Sequence, residues 1–142
     1  MKIISFLYDD KDLMAKAFEI RTKVFVNEQG VDAELEMDSY DIIAHHYLVF
    51  IDNKYVATSR WRETDKGIKL ERFAVLKEYR NKGIGENMLK KVLGDVLPLD
   101  KDIYLHSQAD AINLYLRNGF VIVGDMFMEA GIKHDKMIYP RK

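Results

Sequence analysis

The sequence predicts one α/β domain spanning residues 1–142, built on a mixed β-sheet with helices on both faces. Three observations lead there. A chain of 142 residues suits a single core. Segments with strand-like and helical spacing follow one another in the order β-α-β-β-β-α-β-α-β-β, which calls for a mixed sheet. Repeats, linkers and low-complexity tracts are absent, so nothing divides the chain.

The elements can be justified in turn. "KIISFLY" is β-branched and aromatic, a first strand. From Asp12 the positions Leu13, Ala17, Ile20 or Arg21, and Val24 have helical spacing, with Asp10 or Asp12 as N-cap, and the helix should fade near Asn27–Gly30. "VDAELEMDSYD" reads as loop with a short helical turn. "HHYLVFI" and "KYVATSRWRE" are strands joined through Asp52-Asn53, a hairpin signal. A turn at "TDKG" leads to the strand "IKLERFAVL", about Ile68 to Leu76. A helix from the following glycine-containing turn runs to about Leu97, where Pro98 stops it. "IYLHSQ" is a strand, "ADAINLYLRN" a helix closed by Gly119, and "FVIVGDMF" and "DKMIYP" are the last strands.

Composition narrows the classes of function. The chain is 48% hydrophobic and 32% charged, as in ordinary globular proteins. With 22 basic and 23 acidic residues the net charge is −1, so no overall field favours nucleic acid or anionic membrane, and neither is expected as a partner. There is no cysteine, which removes disulfides, thiolate metal sites and a cysteine nucleophile together. The opening apolar run is too short for a signal peptide or a membrane span. A cytoplasmic location is the expectation.

The stretch "VLKEYRNKGIGENMLKKVL" places Arg80, Gly83 and Gly85 where a helix begins. A helix N-terminus offers unpaired N–H groups and a partial positive charge, and glycine lets a phosphate approach them without meeting a Cβ. Arg80, Asn81 and Lys82 add a cation and donors. The turn is therefore composed like a phosphate cradle. It is no dinucleotide fingerprint, because Met88 stands where the third glycine belongs, and no P-loop, because Gly-Lys-Ser/Thr is missing.

Arg-x-x-Gly-x-Gly after a strand resembles the acetyl-CoA pyrophosphate loop of the GNAT (Gcn5-related) N-acetyltransferase superfamily. "LERFAVLKEYRNKGIG" is similar to that family's whole strand–loop–helix unit, and "AINLYLRNGF" to its second motif. "RTKVFVNEQGVDAELEMDSYDIIAHHYLV" and "GDMFMEAGIKHDKM" resemble the ElaA-like branch, which includes YjcF-type proteins. The likeness covers nearly the whole chain. It implies a GNAT fold, acetyl-CoA as co-substrate without a metal, and transfer to a small amine or an exposed protein amine. Without cysteine, direct transfer in a ternary complex is favoured over a thioester enzyme intermediate. A CoA-binding regulatory module without transfer, or an enzyme using a longer acyl-CoA, are the alternatives.

The resemblance also implies roles for individual residues. Arg80, Asn81, Lys82, Gly83, Ile84 and Gly85 would hold the pyrophosphate. Main-chain groups of Phe73 and Val75 would pair with the pantetheine arm, lying like an added strand where the sheet splays between the strands at Ile68 and Ile103. Gln108 stands where most family members have asparagine, seven residues before the motif tyrosine, and could donate to a pantetheine carbonyl. Tyr115 matches the tyrosine that protonates the departing thiolate. Glu71 is the candidate base or acceptor ligand, and alternation turns Arg72 to the opposite face unless a bulge intervenes. Arg21, Glu28, Gln29, Arg72 and His134 are candidates for acceptor binding. Structural readings stand beside these: Arg21 paired with an acid, Glu28 capping a turn, His134 anchoring a loop, Phe73 and Val75 packed in the core. No pair of the 4 histidines has convincing metal spacing.

Overall fold

The computed structural model describes residues 1–140. Seven strands form one sheet: β1 (Lys2–Phe6), β2 (His45–Ile51), β3 (Lys54–Thr64), β4 (Gly67–Val75), β5 (Ile103–Gln108), β6 (Val121–Glu129) and β7 (Ile132–Tyr139). The helices are α1 (Lys11–Arg21), α2 (Ala33–Glu36), α3 (Ile84–Val96) and α4 (Ile112–Arg117). In space the strands run β1-β2-β3-β4-β5-β7-β6. Among the described strands only β4 and β5 pair in parallel, so the sheet is mixed, as the element order requires.

Local chemistry accounts for most boundaries. Asp10 caps α1 by accepting from the Leu13 N–H at 3.2 Å. Beyond Arg21 the helix widens into a π-helical stretch, Thr22–Glu28, before Gly30 ends it at φ 73°. Asp52 and Asn53 both take positive φ, the type I′ geometry of a two-residue hairpin. Gly67 is obligatory for closeness: a Cβ there would lie 2.4 Å from the Asp102 carbonyl oxygen. That approach lets the Ile68 N–H donate to the Asp102 carbonyl at 2.7 Å as β4 starts beside the chain entering β5. His134 falls inside β7 rather than in a loop, because β7 starts three residues earlier than "DKMIYP" suggests.

Alternation along β2 divides the interior into two layers. Tyr47 faces α3, where its hydroxyl donates to Asp95 at 2.8 Å, whereas His46 faces the other way and meets the Asp41 carbonyl at 2.8 Å. On the α1 side Met14, Ala17 and Ile20 pack with Leu48, Ala57 and Ala74. On the α3 side Leu89, Val92 and Val96 pack with Leu70, Leu105 and Tyr115. Each fully buried aliphatic side chain contributes about 1.5–3 kcal/mol relative to exposure.

Two irregularities shape the centre of the sheet. The β4–β5 ladder consists of Ile68 with Ile103, Lys69 with Tyr104 and Leu70 with Leu105, and then stops. From the position of Glu71 and His106 onward the two strands diverge. In the same place β4 carries a bulge: Thr58 pairs with Ala74 and Arg60 with Glu71, so Ser59 faces both Arg72 and Phe73. Arg72 sits at φ 58°, a left-handed conformation costing a non-glycine residue about 1–2 kcal/mol.

Candidate active site

The split between β4 and β5 opens a cleft of about 340 Å³. Its walls include Leu70, Glu71, Arg72 and Phe73 from β4, Leu105, His106 and Gln108 from β5, and Tyr115 from α4. Glu129 and His134 approach from the outer strands, and Leu35, Glu36 and Asp38 from the segment around α2.

The phosphate-type turn stands beyond the end of β4. Asn81 and Gly83 have φ 62° and 78°, which fold the chain sharply into α3. Gly83 occupies the N-cap position, and among the described residues no side chain caps the helix, which leaves its first N–H groups open to a ligand. A Cβ at Gly83 would meet nothing within 4 Å, and one at Gly85 would meet only Val75 Cγ2 at 3.6 Å and Leu114 Cδ2 at 3.9 Å. The fold thus leaves open the space before these N–H groups. A pyrophosphate fits that cradle by donor chemistry and by room.

Arg80 is already engaged. Its Nη1 and Nη2 donate to Glu28 Oε2 and Oε1 at 2.9 Å each, and its Nε donates to the Val75 carbonyl at 2.9 Å. Arg80 and Glu28 are both about one-third exposed, so water screens the pair and its worth stays below about 1 kcal/mol. A phosphate group can compete with it. Glu28, expected to contact an acceptor, instead faces the cradle. Gln29, the next residue, exchanges two amide hydrogen bonds with Gln108, at 3.2 and 2.7 Å. The stretch after α1 therefore reaches both the turn beyond β4 and the end of β5.

One wall of the cleft is a buried charge network. Arg21, 1% exposed, donates to Glu36 at 2.9 Å and to Asp41 at 2.7 Å. Arg60 bonds Asp41 at 2.7 Å and Asp38 at 2.8 Å, and its Nε donates to Glu71 at 3.2 Å. Arg62 and Lys69 approach Glu71 at 2.7 and 3.3 Å. Arg72 reaches Glu36 and Asp38 at 3.0 and 3.1 Å. Because of the bulge, Glu71 and Arg72 share this network instead of facing opposite sides. Arg21 lies behind the cleft with its donors used, which corrects the expectation that it binds an acceptor; its pairing with acids is what the structure holds.

The network sets the carboxylates apart. Burial pushes Glu71 up, but Arg60, Arg62 and Lys69 outweigh it and hold the carboxyl below its usual range. Asp38 is likewise held down, burial being outweighed by Arg60 and Arg72. For Glu36 burial prevails over Arg72 and Arg21, and its carboxyl is raised. Glu71 is consequently a charged group of weakened basicity, a poor proton acceptor whose charge Arg60, Arg62 and Lys69 already meet.

Tyr115 lines the cleft from the α3 side, its ring edge-on to Phe73 at 6.1 Å and to Phe120 at 5.8 Å. Burial raises its phenol above the ordinary value of 10.0, so it is protonated at neutral pH. No hydrogen bond to its hydroxyl occurs among the described residues. On the opposite face His106 Nδ1 meets Glu129 Oε1 at 3.2 Å, and His134 Nε2 stands 3.7 Å from Glu129 Oε2. His134 Nδ1 donates to the Ile132 carbonyl at 2.8 Å. The His106 hydrogen bond, which outweighs burial, brings the Glu129 carboxyl down to about 2. Sequence reasoning missed His106 and Glu129. Strand alternation carries a usable signal for the first, since His106 is two residues from Gln108 and shares its face.

A sheet split between two parallel strands, with a glycine-bounded helix start at the head of the split, is the fold of the GNAT acyltransferases. The acetyltransferase (GNAT) domain model matches residues 10–140, and the chain belongs to that family. It is 33% identical over 133 residues to the "uncharacterized N-acetyltransferase YjcF" of Bacillus subtilis, covering 91% of this chain and 94% of that protein. Among solved structures it resembles an acyl-CoA N-acyltransferase from Pseudomonas aeruginosa, with TM-score 0.87, 26% identity and coverage of 98% and 99% of the two chains. ElaA of Escherichia coli superposes with TM-score 0.89 at 23% identity, covering 99% of this chain and 100% of that one, a likeness of fold. No helix among the described residues is long and apolar enough to cross a membrane.

Proposed function

We propose that the protein transfers the acetyl group of acetyl-CoA to a primary amine, directly and within a ternary complex. The observation that carries this reading is the ladder that stops after Leu70 and Leu105, leaving β4 an unpaired edge that leads from the open cradle into the cleft. In this reading the N–H groups at Gly83, Ile84 and Gly85 hold the pyrophosphate, with Arg80, Asn81 and Lys82 adding donors. The main chain of Phe73 and Val75 pairs with the pantetheine arm, once Arg80 releases the Val75 carbonyl. Gln108, released from Gln29, donates to a pantetheine carbonyl.

The acceptor enters from the side of the charge network, past Arg72 and His134. The amine reacts in its neutral form beside Glu71, whose charge is met by Arg60, Arg62 and Lys69, and Tyr115 gives a proton to the sulfur that leaves on the other face. The absence of cysteine from the chain supports one-step acyl transfer. A small amine and an exposed protein amine share the chemistry the cleft recognises. Isothermal calorimetry with CoA, together with thiol release from acetyl-CoA across a panel of primary amines, tests the reading. CoA binding without release for any amine favours a binding module, and faster release from longer acyl-CoAs replaces acetyl as the donor group.

A further inference from the structure

We propose that His106 is the general base of this transfer and that Glu129 positions its imidazole. The assignment rests on the acetyltransferase reading. In the register that pairs Leu70 with Leu105, the next two positions are Glu71 and His106, where the strands part. Both side chains lie on the face opposite the α3 layer that holds Leu70, Leu105 and Tyr115. The split therefore opens between a fixed carboxylate and an imidazole, with the phenol on the far side. A neutral amine at the mouth of the split, beside Glu71, has His106 as its neighbour across the gap.

The chemistry of the imidazole follows from its partners. Glu129 remains a carboxylate at any working pH, and an ionised carboxylate can only accept. The 3.2 Å contact therefore requires the proton of neutral His106 on Nδ1, which leaves the Nε2 lone pair available. Phe127, edge-on at 5.0 Å, limits the ring's rotation from the other side. A base oriented by a carboxylate through its second nitrogen is a recurring solution for activating a weak nucleophile. His134 cannot serve in the same way, because its Nδ1 is spent on the Ile132 carbonyl and its Nε2 is turned to Glu129.

The step balances without any further reactant. The neutral amine nitrogen attacks the thioester carbonyl; a C–N bond forms and the C–S bond breaks. One proton passes from nitrogen to His106 Nε2, and one passes from Tyr115 to the sulfur. Solvent then resets both side chains. The charged groups around His106 are Glu129 from β6, Lys136 and His134 from β7, and Lys69 and Glu71 from β4.

Two measurements test the proposal. Nitrogen-15 NMR of the imidazoles in the ligand-free protein should show neutral His106 protonated on Nδ1, and Glu129→Gln should let its neutral ring mix the two tautomers. An Nε2-protonated ring, or an unchanged tautomer in Glu129→Gln, overturns the dyad whatever the acceptor is. In thiol release from acetyl-CoA with spermidine, tyramine and a tripeptide bearing a free α-amine, His106→Gln should lower kcat by about 10²–10⁴-fold. It should also remove the rising limb of kcat/KM against pH, with CoA affinity changed by less than about twofold. Glu129→Gln should lower kcat with the same small change in CoA affinity. A wild type that acetylates one of these amines alongside a His106→Gln variant with full kcat and the same limb sinks the base assignment alone. A wild type that acetylates none overturns the transfer reading and this assignment with it.

Discussion

Replacing Gly85 with alanine separates what the fold needs from what the ligand needs. Gly85 is the second residue of α3, and the added methyl group would meet Val75 Cγ2 at 3.6 Å and Leu114 Cδ2 at 3.9 Å, both ordinary contacts. Alanine is the better helix former by up to about 1 kcal/mol, so Gly85→Ala should keep or raise Tm, by up to about 2–5 °C for a chain of this size. The ligand meets the same methyl group differently. It stands before the N–H groups of the first turn, and losing one charge-assisted hydrogen bond of about 1.5–3 kcal/mol weakens CoA roughly 10- to 150-fold. Gly85→Glu adds a carboxylate against phosphate, a further repulsion of about 1–4 kcal/mol at contact distance. Gly83 reverses the pattern. It sits at φ 78° with nothing near its absent Cβ, so Gly83→Ala should cost about 1–2 kcal/mol of stability and weaken CoA less. Calorimetry for Kd and thermal unfolding for Tm read the two effects separately. A Gly85→Ala protein that melts lower yet binds CoA unchanged would show that the glycine serves packing, and the cradle would have to be sought elsewhere.

Tyr115→Phe keeps the ring contacts with Phe73 and Phe120 and removes only the hydroxyl; kcat should fall at least roughly tenfold, about 1.4 kcal/mol, with CoA affinity intact. Unchanged kcat would reduce Tyr115 to packing. Glu28→Gln should free Arg80 from its solvent-screened partner and tighten CoA by no more than about fivefold, measured by calorimetry. Arg21→Met leaves Glu36 and Asp41 buried without their shared cation and should destabilise by about 3–5 kcal/mol in urea unfolding, far beyond a surface arginine. His46 is depressed below 6.5, by burial first and then by Arg21 and Arg60, against the opposing pull of Asp41. As pH falls below that value the unfolded chain binds a proton that the folded chain resists, so stability declines. His46→Gln should flatten Tm against pH between about 7 and 5, and equal slopes in both proteins would refute the linkage.

The element order, the Asp52-Asn53 hairpin and the cradle at Arg80–Gly85 were legible because each rests on local rules. Periodicity, turn chemistry and helix-start glycines are written within a few consecutive residues. The candidate site was legible only in part. Glu71 could be found from its strand, but its weakened basicity comes from Arg60 and Arg62 on β3, and pairing between strands is not written in either one. Arg72 shows the same limit, since its bulge depends on how β3 and β4 register.

What this sequence determined by itself is a split-sheet α/β chain of the GNAT family with a phosphate-type turn at the start of its main helix. Tertiary structure alone decided which charged groups face the cleft and which are spent. Arg21 was withdrawn into a buried network, Glu28 was set against Arg80, and His106 was brought to Glu129 from a strand 23 positions away. The physical reason is that a side chain's chemistry depends on its partners. Burial and Coulomb interactions act across space, between residues whose separation along the chain says nothing about their distance.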